Sequence, residues 1–248
     1  MSTERGRDVF AFLVVGVALV AMTSCAGLRV ARRPTEPQQQ HPTISLIEYS
    51  DFQCPFAAAG QPIIERVLAV YGQAVKYEYR HHTIGSHPYA IPAARRYEAL
   101  HDRDPAAADR LRHALFSDQA RLNKEGERFL DEVITQLGYD PQLIARESET
   151  PSITERLGEQ MAEVDAQKLL GTPGYVVAGI TLEGPTPFSK FEQVICGELR
   201  KARFAAAASH SGPEEPDCWT LVKPDWKRLD ELDNGGIAAH AVRLPSTR

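Results

Sequence analysis

Cysteine and basic charge are both in short supply here, and each shortage closes off a class of protein. Only four cysteines, Cys25, Cys54, Cys196 and Cys218, occur in 248 residues, too few for a small domain stapled by disulfides. None of them forms a Cys-x-x-Cys pair. No Cys/His spacing resembles a zinc motif, so His81, His82, His87, His101 and His113 read as surface or packing residues and no metal is expected. Lys and Arg number 28 against 33 Asp and Glu, a formal charge of -5, whereas a nucleic-acid binder shows a basic surplus. The pairs Arg32-Arg33, Arg95-Arg96 and Arg200-Lys201 stand among acids and read as solvated surface. The apolar run from Val9 to Met22 falls short of the ~20 residues a spanning helix needs. With 43% hydrophobic and 25% charged residues, the chain is of ordinary globular composition, long enough for one well-buried domain with an elaboration, or for two small ones.

The first 25 residues read as a secretory signal. Arg5 and Arg7 precede the apolar run, which ends in the small residues of Thr23-Ser24-Cys25-Ala26-Gly27. Met22-Thr23-Ser24-Cys25 resembles the lipobox of bacterial lipoproteins, whose cysteine is lipidated. Lipidation at Cys25, ordinary cleavage and an uncleaved anchor are three outcomes. The tetrad favours the first, with membrane attachment only through that lipid, and all three put the remainder outside the cytoplasm, in the cell envelope or periplasm, where disulfides persist. Residues 26–42, with Arg32, Arg33, Pro34 and Pro37 and no apolar period, read as a tether.

A folded domain is expected over 43–204. Ile44 to Tyr49 reads as a buried strand. Pro55 suits the first turn of a helix, with Ile64, Val67, Leu68 and Tyr71 at helical spacing and Gly72 as its stop. Val75 to Arg80 alternates as a second strand. From about Ala90 to Leu170 the period is helical throughout, with Asp140-Pro141 as a helix start; these stripes read as core, and no cofactor is assigned. Tyr175 to Val177 and Thr181-Leu182 read as strands joined by a turn at Ala178-Gly179-Ile180, and Phe188 to Phe204 as a last helix. Such alternation indicates an α/β domain whose first two strands pair in parallel. Residues 205–248, Ala-, Ser- and Pro-rich before Trp219 and Trp226, are expected to form a loosely packed extension.

Cys54 falls where a strand ends and a helix begins. Unpaired N–H groups and the positive end of a helix dipole favour a thiolate at such a place, and the thiolate is the nucleophilic form. The stretch Glu48-Tyr49-Ser50-Asp51-Phe52-Gln53-Cys54-Pro55-Phe56 resembles the active-site approach of DsbA-like thioredoxin-fold proteins. So do His87-Pro88 before Ala90, Ala93 and Ala94, then Leu115-Phe116, then Leu137-Gly138-Tyr139-Asp140-Pro141. Gly171-Thr172-Pro173 resembles that family's cis-proline loop; together these motifs span about residues 43–200. The resemblance implies a thioredoxin fold carrying a large α-helical insertion between the strand–helix–strand half and the cis-proline hairpin. It implies that Cys54 is the nucleophile, that Thr172 and Pro173 flank it, that Pro55 and Phe56 belong to the substrate-facing surface, and that Glu48 is a buried acid beneath the centre. An exposed strand-end charge is the other reading of Glu48.

Ala57 departs from the family's dithiol pattern. It stands where a second cysteine would attack the mixed disulfide and release the substrate. With Cys54 alone, that mixed disulfide waits for an outside thiol. The partners implied are cysteine-containing proteins or low-molecular-weight thiols, and the activity is monothiol exchange or isomerisation. A redox-inactive binding module and a glutathione-dependent isomerase or transferase are the alternatives on the same scaffold. Cys196 and Cys218 are each able in principle to reach Cys54, but their closeness in sequence favours a Cys196–Cys218 pair holding the extension to the domain.

Overall fold

The computed structural model describes residues 43–207, Cys218, Val222 and 224–235. The signal, Cys25 and the tether lie outside the described residues. The chain begins β1 (Ile44–Ser50), α1 (Pro55–Tyr71), β2 (Val75–His81). Six helices follow: α2 (Ala90–Arg103), α3 (Pro105–Ser117), α4 (Gln119–Glu125), α5 (Glu127–Gln136), α6 (Pro141–Ser148) and α7 (Pro151–Ala166). β3 (Gly174–Val177), β4 (Ile180–Glu183), α8 (Phe188–Ala207) and α9 (Trp226–Gly235) complete the described order.

The strands form one sheet in the order β2-β1-β3-β4. β1 pairs in parallel with β2, Ile44 opposite Val75 and Ser50 opposite His81, and antiparallel with β3, Glu48 opposite Tyr175. This is the thioredoxin arrangement, with α2–α7 as the helical insertion between β2 and the hairpin.

Alternation along β1 places Ile44, Leu46, Glu48 and Ser50 on one face and Ile47 and Tyr49 on the other. The first face joins a core with Ile64 and Val67 of α1 and Phe191, Ile195 and Leu199 of α8. On the second face Tyr49 packs with Val176, Val164 of α7 and Leu169. The insertion has its own core, from Leu100, Leu111, Leu115, Leu130 and Ile134 among others. Phe52, Cys54, Ala57 and Tyr79 belong to that core, so the start of α1 sits at the seam between the sheet layer and the insertion.

Helix ends follow local chemistry. Asp104 and Asp140 accept bonds from the first-turn amides of α3 and α6, each ahead of a proline that has no amide to leave unpaired. The α1 helix closes at Gly72, whose N–H donates to the carbonyl of Leu68 at 2.8 Å.

Two expectations change. The hairpin turn is the pair Ala178-Gly179, both in the left-handed region (φ 50° and 83°), and Ile180 already pairs with Val177. Two such residues match the twist of a tight hairpin, which makes the turn shorter than the sequence suggested. The helix α4 falls within the span expected to be helical but carries no apolar stripe, Leu122 being its one buried residue. The described part of the C-terminal extension is also packed rather than loose. Cys218 and Val222 are buried in the sheet-side core, and the Asp225 amide donates to the Ala69 carbonyl at 2.7 Å.

Candidate active site

Cys54 is the N-cap of α1, with extended backbone (φ -76°, ψ 120°) and Pro55 in the first turn. Its carbonyl accepts from the amides of Ala57 and Ala58, both at 3.1 Å. The thiol Sγ lies 3.1 Å from the carbonyl oxygen of Thr172, and the Thr172–Pro173 bond is cis. The structure thus brings Cys54 together with Thr172, 118 residues further along the chain, and with the adjoining Pro173. The helix α1 approaches the loop closely at Gly60, where a β-carbon would stand 2.7 Å from the Tyr175 hydroxyl and 3.5 Å from Pro173 Cγ; only glycine leaves that room. Cys54 is 5% exposed and Ala57 fully buried, whereas Phe56 is 62% and Leu170, just before the cis-proline loop, 88% exposed. Cys54 is therefore largely covered, while an apolar side chain two residues on and another two residues before Thr172 stand open.

Polar side chains that the sequence did not advertise fix this loop. Asp51 accepts from the amides of Gln53 and Ile84, both at 2.7 Å, and its Oδ2 lies 2.9 Å from His87 Nδ1. Gln119 of α4 donates to the carbonyls of Phe52 and Cys54, each at 2.8 Å. Gln53 donates to Asn123 Oδ1 at 2.6 Å and accepts from the Tyr89 amide. Phe52 packs on Tyr79 and Phe116, with ring centroids 5.5 and 5.2 Å away. The insertion therefore holds the segment that carries Cys54. His82 borders the same region: burial lowers its pKa, although a bond to the Gly171 backbone works the other way.

Glu48 is fully buried, not an exposed strand-end charge. Its two oxygens accept from Gln61 Nε2 at 2.8 Å and the Tyr77 hydroxyl at 2.7 Å. Burial raises its pKa, opposed by the Arg112 guanidinium and by these bonds. Gln61 Nε2 also lies 3.5 Å from the Ala57 carbonyl, so Glu48 connects to the first turn of α1 through Gln61 rather than by touching Cys54. Arg112 of α3, buried, donates to Gln61 Oε1 and to Asp109 Oδ1, the latter at 3.0 Å from Nε and 2.9 Å from Nη2. Its guanidinium stands 5.7 Å from the ring centroids of both Tyr77 and Tyr79. One signal of this network was available in sequence: Glu48 shares the strand phase of Leu46.

Cys196 and Cys218 are bonded to one another, so neither serves as a second thiol for Cys54 in this state. Among the described residues Cys54 is the free cysteine, and no group of three His, Cys, Asp or Glu side chains converges as metal ligands do.

The profile of the DSBA-like thioredoxin domain matches residues 45–196. This chain belongs to that family. The DSBA-like domain is also similar to a thioredoxin-like oxidoreductase from Silicibacter pomeroyi, with TM-score 0.55 and 21% identity over 65% of this chain and 88% of the other. A second likeness is to the thiol-disulfide exchange protein alpha-DsbA2 of Wolbachia pipientis, with TM-score 0.56 and 18% identity over 64% and 83% of the two chains. At such identities these likenesses bear on the fold alone. Among curated proteins, the chain is 26% identical over 208 residues to Na(+)/H(+) antiporter NhaA 3 of Salinispora tropica, matching 74% of this chain and 29% of the antiporter. The chain thus spans less than a third of that relative's length. No helix among the described residues is long and apolar enough to cross a membrane.

Proposed function

We propose that the protein is an extracytoplasmic thiol-disulfide oxidoreductase working through Cys54 alone. The observation that carries the reading is the placement of Cys54 Sγ at the start of α1, 3.1 Å from the Thr172 carbonyl at a cis-proline peptide, with Ala57 in the following turn. In the first step the Cys54 thiolate attacks one sulfur of a partner disulfide. A Cys54–S–S–R bond forms, the partner's S–S bond breaks, and the leaving thiolate takes up a proton. In the second step a thiolate from the same partner or from a small thiol attacks the substrate-side sulfur, and Cys54 leaves as thiolate. Electrons balance without a cofactor: monothiol exchange and isomerisation redistribute disulfides without net oxidation.

Pro55, Phe56, Thr172 and Pro173 form the surface offered to the partner, with Phe56 and Leu170 as its apolar rim. Glu48 is the buried acid beneath the centre, and it tunes the Cys54 thiol by charge and hydrogen bonding through Gln61 and the first turn of α1. Partners are cysteine-containing proteins or low-molecular-weight thiols. Lipidation of Cys25 would hold the domain at a membrane surface through the 26–42 tether.

The test uses the full chain carrying Cys25→Ser, incubated as purified with glutathione disulfide and followed by intact mass. One glutathione adduct at Cys54, absent from the Cys54→Ser variant and discharged by added thiol, is expected. No adduct on the folded protein would sink the redox reading. The low exposure of Cys54 (5%) would then favour the second reading, a binding module that keeps the scaffold without the chemistry.

A further inference from the structure

The network beneath Cys54 does not end inside the thioredoxin core. Glu65, one helical turn beyond Gln61 on α1, is buried, only 5% exposed, and is met by nitrogen-bearing side chains from two separate elements. From α3, Arg112 Nη2 and His113 Nε2 each lie 3.5 Å from Glu65 Oε1. From α9, Arg228 Nη2 donates to Glu65 Oε2. Arg112 is therefore drawn two ways, toward Glu65 and Asp109 on one side and toward Gln61, hence Glu48, on the other.

Several devices deliver Arg228 to this spot. The Cys196–Cys218 bond ties the C-terminal segment to α8, and Val222 is buried in the sheet-side core. The Asp225 amide is fixed to the Ala69 carbonyl, and Asp225 Oδ1 accepts from the Arg228 amide at 3.1 Å. The extension thus places a cation against a carboxylate that competes for Arg112.

We infer that Arg228 is a positioning residue for the Cys54 centre: by engaging Glu65 it leaves Arg112 directed at Gln61, and so keeps Glu48 under a cation. The inference rests on the proposed role of Glu48 for its catalytic meaning, but not for its electrostatic content. Without Arg228, Glu65 keeps one arginine instead of two and competes more strongly for Arg112. A new nearby anion and a retreating cation both disfavour the ionised form of Glu48. Without the Glu65 charge, Arg112 is released toward Gln61 and the effect reverses. The other groups facing Glu48 are Tyr77 and Tyr79 from β2, Tyr97 from α2, Tyr175 from β3 and Ser50 from its own strand. Those facing the Glu65 cluster are Asp109 from α3 and Glu231 from α9. None of these is altered by the substitutions.

The experiment titrates the Glu48 side-chain carboxyl by carbon NMR in the full chain, as wild type and as Arg228→Met, Arg228→Lys and Glu65→Gln. The Arg228→Met variant should raise the Glu48 midpoint by about half a unit or more, a modest value for a charge change relayed through one arginine. Arg228→Lys should restore it, and Glu65→Gln should lower it below wild type. General loosening of the fold would shift Met and Gln variants in one direction. Opposite signs with lysine rescue therefore support the positioning role, and equal shifts, or no shift in Arg228→Met, overturn it. The pH profile of Cys54 alkylation is read in parallel. If Glu48 moves while that profile stays put, the proposed role of Glu48 fails and the positioning of Arg112 by Arg228 stands.

Discussion

Replacing Arg112 with methionine should destabilise the protein by about 3–5 kcal/mol at neutral pH, the usual cost of removing one partner from a buried ionic cluster. The guanidinium is buried and donates to Asp109 twice and to Gln61 once. Its loss leaves the fully buried Glu48 without the main cation that opposes its burial, and leaves Glu65 with one arginine instead of two. Packing adds little to the cost, because methionine fills much of the same space between Tyr77 and Tyr79. For a domain of this size the loss corresponds to a fall in Tm of roughly 6–20 °C. Urea unfolding checks it, with the midpoint shifting at constant slope. Arg112→Lys should recover less than half of the loss, since one ammonium does not reproduce a fork that spans Asp109 and Gln61. A loss below about 1 kcal/mol in Arg112→Met would place this pair among weakly coupled surface ion pairs and refute the idea that α3 and α1 are joined through charge.

Glu48→Gln should change how stability depends on pH. Burial lifts the folded-state pKa of Glu48 above the ordinary 4.5, so its contribution to the fold is fully present below 4.5 and is lost as pH rises through the folded value. The variant lacks that loss, and its stability relative to wild type should climb with pH above 4.5, by up to about 1.4 kcal/mol for each unit of the shift. A flat difference between acid and neutral unfolding curves would contradict it. Gln119→Ala should cost about 1–2 kcal/mol by leaving the Phe52 carbonyl without its donor, and should speed alkylation of Cys54 as the segment loosens. Unchanged iodoacetamide kinetics would show that α4 does not clamp the loop.

Much of this arrangement was legible in the chain because it is carried by periodic or local signals. The alternation of β1 and β2, the Pro55 helix start and the Gly72 stop are decided by neighbours in sequence. The Cys54 segment and the cis-proline loop were legible only through family resemblance, since nothing local to Gly171-Thr172-Pro173 says what lies opposite it. What was missed is polar and long-range. Arg112 occupies a helix whose apolar stripe predicts burial of Leu111 and Leu115, not of the guanidinium beside them, and Gln119 begins a helix with no stripe to mark its face. Glu48 stayed ambiguous because alternation assigns it to a face without saying whether that face is covered by α1. In the described part of the extension the Cys196–Cys218 staple was legible from closeness in sequence, but the seating of Val222, Asp225 and Arg228 was not, because the surrounding composition is Ala-, Ser- and Pro-rich and carries no apolar period.

The central claim is that chemistry at Cys54 stops at a mixed disulfide for want of a second thiol, and the release of bound glutathione tests it most directly. The Ala57 amide bonds to the Cys54 carbonyl at 3.1 Å, a single helical turn that brings the two α-carbons within about 5–6 Å, inside the range a disulfide spans. Glutathionylated wild type should keep its adduct until an outside thiol is added. Glutathionylated Ala57→Cys should expel glutathione unaided and finish with an internal disulfide to Cys54. Spontaneous discharge of the wild-type adduct at a rate matching that of Ala57→Cys would contradict the account.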